Sequence, residues 1–322
     1  MAAQRPIFNR INCKGKRGHG FCRAPYTARS ILYGENMITI KVANIIIKLD
    51  IPDKFIRDDM YKFQCADSPA GDVLIEMTNN QAHVPNAENG ISATVHRVCC
   101  FDGNNYYMMS DDDYVTYFQF NNSYSHFTIN INESAANEDL GEQPEIGVRR
   151  AINSALKRIF MMAVADKGGV WLHSSTIMHN SAAICFSASS GTGKTTHTNL
   201  WREAFPGVEV INGDMGYMFA KGPQAFFYSA PWSGNSEECM NATAPVKAIV
   251  FLEQAKENYI RKLSADEAFM RISTRCFLPA WDKSLYIKAI DTTELLAGIV
   301  DSYLLRCLPN ESAARVCYHG IY

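Results

Sequence analysis

Between about Met37 and Ile131, apolar and polar residues alternate with a period of two, and β-branched and aromatic residues are frequent. Both features are typical of β-strands that bury one face. Polar, turn-forming stretches interrupt the alternation at 102–105, 111–113 and 121–122. The pattern predicts an antiparallel β domain over residues 1–140, with strands at 38–42, 45–49, 95–101, 106–109, 114–120 and 127–131.

A polar, acidic stretch from Asn132 to Pro144 then breaks the pattern and is the best candidate for a linker. Beyond it, apolar residues recur every three or four positions from Val148 to Ala163, which predicts an amphipathic helix. This helix should end at Lys167-Gly168-Gly169, because glycine commonly terminates helices. We expect it to open a second domain, over residues 141–322.

The second domain alternates short apolar runs with helical patterns. Such alternation is typical of a mixed sheet covered by helices, so the fold class is α/β in this domain and α+β overall. Helices are predicted at 196–205, after a capping-box sequence at Ser264 to Glu267, and at 292–300. The predicted strands are 170–177, 182–186, 208–211, 217–220, 225–229 and 246–252.

Composition places the chain among ordinary globular proteins, with 322 residues of which 47% are hydrophobic and 20% charged. The formal net charge is −2, so the chain lacks the excess positive charge that is typical of nucleic-acid-binding proteins. No apolar run approaches the roughly 18 residues that span a bilayer, and Met1 to Arg10 lacks the apolar centre of a secretion signal. We therefore expect a cytoplasmic protein with reduced cysteines and with neither a membrane nor a nucleic acid as partner.

A glycine-rich segment stands between a predicted strand and a predicted helix, which is the context that a phosphate-binding loop requires. Glycine lets backbone N–H groups turn towards a phosphate, and the helix N-terminus adds partial positive charge. Lys194 can reach the β- and γ-phosphates, and Thr195 can offer its hydroxyl to Mg²⁺. The segment therefore predicts a site for ATP or GTP, formed by Ser190, Gly191, Thr192, Gly193, Lys194, Thr195 and Thr196.

Ala188 departs from the G-x-x-x-x-G-K-[ST] pattern, because it stands where that pattern has its first glycine. The first turn of the loop must then avoid a positive φ or accept strain.

A carboxylate at the end of a neighbouring strand is the second element that phosphoryl transfer needs, and Asp214 meets that need. It can bind Mg²⁺ or take a proton from an incoming hydroxyl. His173 precedes the phosphate-loop strand, where residue chemistry alone favours an ordinary strand histidine. The loop 231–235 is equally typical of the wall of a pocket for a substrate or for adenine and of a packed turn. Glu253 is more typical of a solvated acid at a strand end, and His197 is expected to face the sheet or solvent.

The sequence from His173 to Thr196, HSSTIMHNSAAICFSASSGTGKTT, resembles the nucleotide domain shared by HPr serine kinase/phosphorylase and ATP-dependent phosphoenolpyruvate carboxykinase. In both families a histidine-bearing strand leads, at a similar distance, into an S-G-x-G-K-[ST] loop. The loop looks more like the carboxykinase version. The resemblance covers roughly Gly169 to Cys307 and does not extend to the β domain. The segments that look more like compact bacterial kinases related to HPr kinase are 197–203, 210–214, 231–234, 241 and 245–253.

This resemblance implies a C-terminal P-loop kinase domain of the phosphoenolpyruvate-carboxykinase-like, mixed-sheet type. It places Lys194 and Thr195 on phosphate and metal, and Asp214 at the acidic position that binds metal or acts as a base. It also places His173 near the reacting phosphate. The implied cofactors are ATP and Mg²⁺ or Mn²⁺, and a homo-oligomer is compatible with the resemblance.

The favoured function is an ATP-dependent kinase that phosphorylates a hydroxyl, on a protein or peptide serine or on a small metabolite. One alternative is a carboxykinase-like lyase acting on oxaloacetate, which would need several cations for a dicarboxylate. Residues 171–245 contain few of them: Lys194, Arg202 and Lys221. Another alternative is a nucleotide-binding regulatory or scaffold protein with little transfer activity. It is motivated by Gly213 and Met215, which stand where both families usually carry a second acid.

Overall fold

The computed structural model describes residues 37–66, 70–78, 91–93, 96–101, 104–109, 115–131 and 144–322. Within these ranges the chain forms two mixed β-sheets and six α-helices. The predicted turns at 102–103 and 111–113 and most of the predicted linker, 132–143, lie outside them. The domain boundary at 140/141 falls in the same stretch and stays a prediction.

The first sheet contains eight strands in the order β1-β2-β3-β8-β7-β6-β5-β4. The alternation that the period of two predicts is clearest in β2 and β3, where the first, third and fifth residues are buried and the second and fourth are only partly buried. Asn104 and Asn105, which were expected in a turn, instead begin a strand. The strands are β1 Ile38–Val42, β2 Ile45–Asp50, β3 Val73–Thr78, β4 Ile91–Ala93, β5 His96–Phe101, β6 Asn104–Met108, β7 Val115–Phe120 and β8 His126–Ile131.

The prediction of a purely antiparallel N-terminal sheet is wrong, because β3 runs parallel to both of its neighbours, β2 and β8. A connection that contains the short helices Asp53–Phe55 and Asp58–Tyr61 returns the chain to the same end of the sheet before β3 begins. The sequence analysis omitted β3 altogether, although its alternate residues Val73, Ile75 and Met77 are buried.

The second sheet contains nine strands and is mixed, as predicted. Its order is β12-β10-β11-β15-β14-β13-β9, with β17 beside β15 and β16 beside β17. The long strand β15 pairs with β14 at its start and runs parallel to β11 and β17 further on. The strands are β9 Val170–His173, β10 Ser175–His179, β11 Ala182–Ser187, β12 Glu209–Asn212, β13 Met215–Lys221, β14 Gln224–Ser229, β15 Thr243–Gln254, β16 Tyr259–Lys262 and β17 Ser302–Cys307.

Six helices accompany the sheets, and among the described residues none is long and apolar enough to cross a membrane. The capping box predicted at Ser264 and Glu267 is present at the start of α4. Gly168 follows the second helix with a φ of 79°, as expected for a glycine that ends a helix. The helices are α1 Asp58–Tyr61, α2 Pro144–Asp166, α3 Lys194–Ala204, α4 Ala265–Ser273, α5 Lys283–Ile299 and α6 Glu311–Ile321.

The 23-residue helix α2 packs against both sheets. Its buried side chains, including Phe160, belong to one hydrophobic cluster with Phe118 of the first sheet and Tyr217 of the second. The Phe160 ring also meets the Trp232 ring edge-on, with 4.9 Å between centroids. Since one face of α2 is fixed in this core, its opposite, polar face is held at a set position beside the second sheet.

Candidate active site

The glycine-rich loop lies where the sequence predicts it, between β11 and α3. Gly191 and Gly193 have φ values of 76° and 116°, in the region that favours glycine. Ala188, in contrast, is not among the residues with positive φ, and its side chain is buried. The first turn therefore accepts alanine in place of glycine without backbone strain.

The N-terminus of α3 differs from those of the three helices that follow it. Gly193 occupies the N-cap of α3, and no described side chain caps it. The N-caps of α4, α5 and α6 are Ser264, Asp282 and Asn310, and each accepts a backbone hydrogen bond. The first N–H groups of α3 thus lack a capping side chain, and a phosphate can occupy that position.

Cationic side chains surround this loop. Lys194 Nζ donates a hydrogen bond to the Ala188 carbonyl over 3.3 Å, and Arg275 Nη2 donates one to Ser189 Oγ over 2.8 Å. Burial lowers the pKa of Lys194, and the Arg275 charge lowers it further, whereas the Asp214 carboxylate raises it. Lys194 and Asp214 are therefore close enough to interact electrostatically.

Cavities adjoin the loop on two sides. One of about 620 Å³ lies between the loop and the end of α4 and is lined by Arg271 and Arg275. Another of about 350 Å³ lies beside the first turn of α3 and is lined by apolar residues such as Leu200 and Leu308. This combination of a cationic and an apolar compartment suits a phosphate chain joined to an organic group.

Asp214 lies between β12 and β13, and the buried side chain of Asn212 holds its backbone in place. Asn212 Oδ1 accepts hydrogen bonds from the N–H groups of Asp214 and Met215, at 2.9 and 2.8 Å. Asn212 Nδ2 donates to the Ala230 carbonyl at 2.8 Å. The sequence analysis did not assign this positioning role to Asn212, although the Asn-Gly-Asp run contained the residue.

Two basic side chains contact the Asp214 carboxylate. His173 Nε2 is 3.2 Å from Oδ1, and Lys157 Nζ is 3.4 Å from Oδ2. Burial alone would raise the pKa of Asp214, but the His173 hydrogen bond and the Lys157 charge outweigh it and lower that pKa to about 2. The carboxylate is therefore ionised at neutral pH.

The structure also explains why a second acid is absent beside Asp214. A Cβ atom built on Gly213 would lie 1.7 Å from Ser236 Oγ, so no larger side chain fits without a shift of that loop. Met215 is fully buried and belongs to the hydrophobic core, where a carboxylate would lose its hydration.

Two further residues singled out in the sequence have defined places. His197 is buried and accepts a hydrogen bond from Trp201 Nε1 at 3.1 Å, and burial lowers its pKa to about 4. It faces the core, as expected. Glu253 forms ion pairs with Arg271 and Arg306 at the rim of the loop cavity.

Lys157, Arg271 and Arg275 are cations of the site that the sequence analysis missed. They belong to α2 and to the end of α4, far in sequence from the glycine-rich loop, and no local motif marks them. The count of cations between 171 and 245 therefore underestimated the positive charge near the site.

A divalent ion would find few protein ligands here. Among the described residues there is no group of three or more His, Cys, Asp or Glu side chains that could hold a metal ion. Mg²⁺ commonly uses one or two carboxylates together with substrate phosphates and water. Thr195 and Asp214 carry oxygen atoms of the kind that could hold such an ion.

These features define a mixed α/β protein with two sheets and a cationic loop near a paired carboxylate. No family model and no curated protein matches the chain. Among solved structures, the Hpr(Ser) kinase/phosphatase from Coxiella burnetii is similar at 10% sequence identity, over 46% of this chain and 96% of that one, with a TM-score of 0.28. This similarity is weak, and the site itself is the stronger guide to function.

Proposed function

We propose that the protein is an ATP-dependent kinase that transfers the γ-phosphate to a hydroxyl group. The observation that carries the proposal is the glycine-rich loop with the uncapped start of α3 behind it, where Lys194 is the first helical residue. Asp214 is at the same time ionised and paired with His173. Phosphoryl transfer requires a phosphate cradle and a carboxylate for the attacking hydroxyl at one site.

The nucleotide would bind with its phosphates against the loop. The N–H groups at the uncapped start of α3 and the positive end of the helix dipole favour a dianionic phosphate there. Lys194 would offset the charge that develops on the transferred phosphoryl group. The loop residues proposed for binding are Ser190, Gly191, Thr192, Gly193, Lys194, Thr195 and Thr196.

Mg²⁺, held by Thr195, Asp214 and phosphate oxygens, would neutralise charge on the β- and γ-phosphates. Asp214 would orient the acceptor hydroxyl and receive its proton. Because the pKa of Asp214 is about 2, it is a weak base, and positioning outweighs proton abstraction in its contribution. His173 would keep the carboxylate oriented and would lie beside the transferred phosphate.

A screen for phosphate transfer tests the proposal. Protein incubated with γ-labelled ATP and Mg²⁺ is expected to label either a protein in a cell lysate or a hydroxylated metabolite. The Asp214→Asn variant should lose turnover by about 10² to 10⁴-fold, the range for a positioned acid–base group, while its ATP affinity stays nearly unchanged. Equal turnover by the variant and the native protein would show that the role of Asp214 is wrong.

The carboxykinase-like alternative is favoured by the cations Lys157, Arg271 and Arg275, which lie around the site. It makes a separate prediction: ATP and oxaloacetate should yield phosphoenolpyruvate and CO₂. Detection of phosphoenolpyruvate would replace the kinase proposal by the lyase. ATP binding without turnover of any acceptor would instead support a regulatory protein.

A further inference from the structure

A third cavity, a cleft of about 800 Å³, is lined by Lys157, which contacts Asp214, and by none of the residues of the glycine-rich loop. Its walls are the start of α1, the polar face of α2 and the loop that follows β14. We call it the α2 cleft. Its volume lies within the roughly 300 to 1,000 Å³ of small-molecule sites.

Asp214 does not itself line the α2 cleft, but two of the cleft's walls contact it. Lys157 lines the cleft and lies 3.4 Å from Asp214 Oδ2. The loop after β14 includes Trp232, which lines the cleft, and Gly234, which packs directly on Asp214. A Cβ atom built on Gly234 would lie only 2.9 Å from that of Asp214. A molecule in the cleft is therefore separated from the carboxylate by the Lys157 side chain and by the loop that carries Trp232 and Gly234.

Four cationic and three acidic side chains line the α2 cleft: Arg57, Arg149, Arg150 and Lys157, and Asp58, Asp59 and Glu237. Arg149 is 46% exposed, and its ion-pair contact with the fully exposed Asp58 is a long one of 3.8 Å. Lys157 is 31% exposed. The Asp59 carboxylate is already engaged by Arg57 and Lys62, at 3.1 and 2.8 Å, and its pKa is lowered accordingly. The cleft thus offers more positive than negative charge to an entering molecule.

The walls also contain buried polar atoms that lack a partner. Among the described residues, Arg57 Nε, Trp232 Nε1 and Asn153 Oδ1 make no hydrogen bond, and all three residues line the α2 cleft. Trp232 is only 5% exposed. A buried donor or acceptor without a partner costs on the order of 1 to 3 kcal/mol, so a polar group that reached these atoms from the cleft would gain their hydrogen bonds.

We propose that the α2 cleft is the acceptor site, and that the acceptor is a small hydroxylated compound carrying an anionic group, a carboxylate or a phosphate ester. This inference rests on the proposed kinase function. The anionic group pairs with Arg149 and the neighbouring cations, while Trp232 and Asn153 bind its polar atoms. The hydroxyl is then directed towards Asp214.

In the transfer step, the acceptor oxygen forms a bond to the γ-phosphorus, and the bond from that phosphorus to the β,γ-bridging oxygen breaks. The bridging oxygen keeps the electron pair, so ADP leaves. The hydroxyl proton passes to Asp214 and then to solvent. The products are ADP, the phosphate monoester of the acceptor and one proton.

Three probes of similar size separate charge from shape: glycerate carries a carboxylate, glycerol 3-phosphate carries a phosphate, and glycerol is neutral. Acetyl-serine amide represents a peptide serine. Binding is followed by tryptophan fluorescence, with Trp232→Phe to assign the signal, and ATP affinity is measured on the same samples. Transfer is followed by ADP release. The variants are Arg149→Ala, Arg149→Lys, and the control Arg315→Ala on α6.

We expect glycerate or glycerol 3-phosphate to change the Trp232 fluorescence and to bind at least tenfold more tightly than glycerol. Arg149→Ala should weaken that binding at least tenfold without changing ATP affinity, Arg149→Lys should restore part of it, and Arg315→Ala should leave it within twofold. Arg149 is 46% exposed, and besides the Asp58 pair it donates a hydrogen bond to the Ile56 carbonyl at 3.2 Å, so we expect its replacement to leave the fold intact.

The proposal is overturned if neither anion binds, if glycerol binds equally well, or if Arg149→Ala binds both anions like the native protein. Efficient phosphorylation of acetyl-serine amide, unaffected by Arg149→Ala, would overturn it in favour of a peptide acceptor and leave the kinase function standing. If an anion binds at Trp232 but ATP does not bind at all, the α2 cleft is supported as an anion-binding site and the proposed kinase function is contradicted.

Discussion

His173 Nε2 lies 3.2 Å from Asp214 Oδ1, and the pairing of two strands establishes this contact. Antiparallel pairing of β9 with β13 sets His173 opposite Met215, and the N–H of Ser174 donates to the Asp214 carbonyl at 3.0 Å. Backbone hydrogen bonds between β9 and β13 therefore hold the residues that carry the imidazole and the carboxylate. This restricts the relative motion of the two side chains more than a loop would.

The lowered pKa of Asp214 predicts a pH-dependent contribution to stability. Its value of about 2 in the folded protein is below the ordinary 3.8, so the ionised form stabilises the fold. The contribution is complete above about pH 5 and is lost as pH falls from there towards 2; after allowance for solvent screening it is on the order of 1 to 2 kcal/mol. Urea unfolding of the native protein and Asp214→Asn at several pH values should show their difference shrinking below pH 4. A difference that does not change with pH would contradict the ion pairs.

Gly191 and Ala188 should respond in opposite ways to exchange of glycine and alanine. Gly191 has a φ of 76° but no neighbouring atom within 4 Å of a Cβ built there, so Gly191→Ala costs backbone strain alone, about 1 to 2 kcal/mol. Ala188 does not adopt a positive φ, so Ala188→Gly should leave ATP affinity within twofold. Fluorescent-nucleotide titration and thermal unfolding test both variants. Stronger ATP binding by Ala188→Gly would show that the first turn is strained by alanine.

Gly213 should be intolerant of a side chain because of Ser236. Gly213→Ala places a methyl group 1.7 Å from Ser236 Oγ and 2.6 Å from its Cβ, an overpacking that costs about 1 to 3 kcal/mol. Ser236→Gly removes both atoms, so the double variant should recover part of that loss. A double-mutant cycle on the free energy of unfolding measures the coupling. Additive effects would mean that the loop moves away without cost.

Arg275 should contribute to nucleotide affinity, whereas Arg306 should not. Arg275 contacts Ser189 in the loop and lines its cavity, so Arg275→Gln should raise the Kd for ATP about tenfold, the loss of one charged contact of about 1.4 kcal/mol. Arg306 is another arginine near this cavity, because it pairs with Glu253, but it is not among the residues that line the cavity. Arg306→Gln is therefore a matched control. Equal effects of the two variants on the Kd would indicate a general electrostatic field instead of a phosphate contact.

Local interactions explain which features could be predicted. The strand alternation, the glycines that end α2, and the capping box at Ser264 and Glu267 depend on residues a few positions apart, and the structure contains all three. The parallel placement of β3 depends on where a crossover returns the chain, and no short pattern encodes that. The α2 cleft is likewise formed by three segments that are distant in the sequence, so no short pattern encodes the cleft or its cations.

The sequence by itself determined the glycine-rich loop between a strand and a helix, and an aspartate at the end of a neighbouring strand. It did so because glycine's freedom at positive φ and the period of buried residues act over single elements. Only the tertiary structure decided which charges surround that aspartate. Helix α2 is fixed between the two sheets by its apolar face, and this brings Lys157 to Asp214 and opens the α2 cleft beside it. Packing across distant elements, which sets burial and charge contacts, also sets the pKa of Asp214.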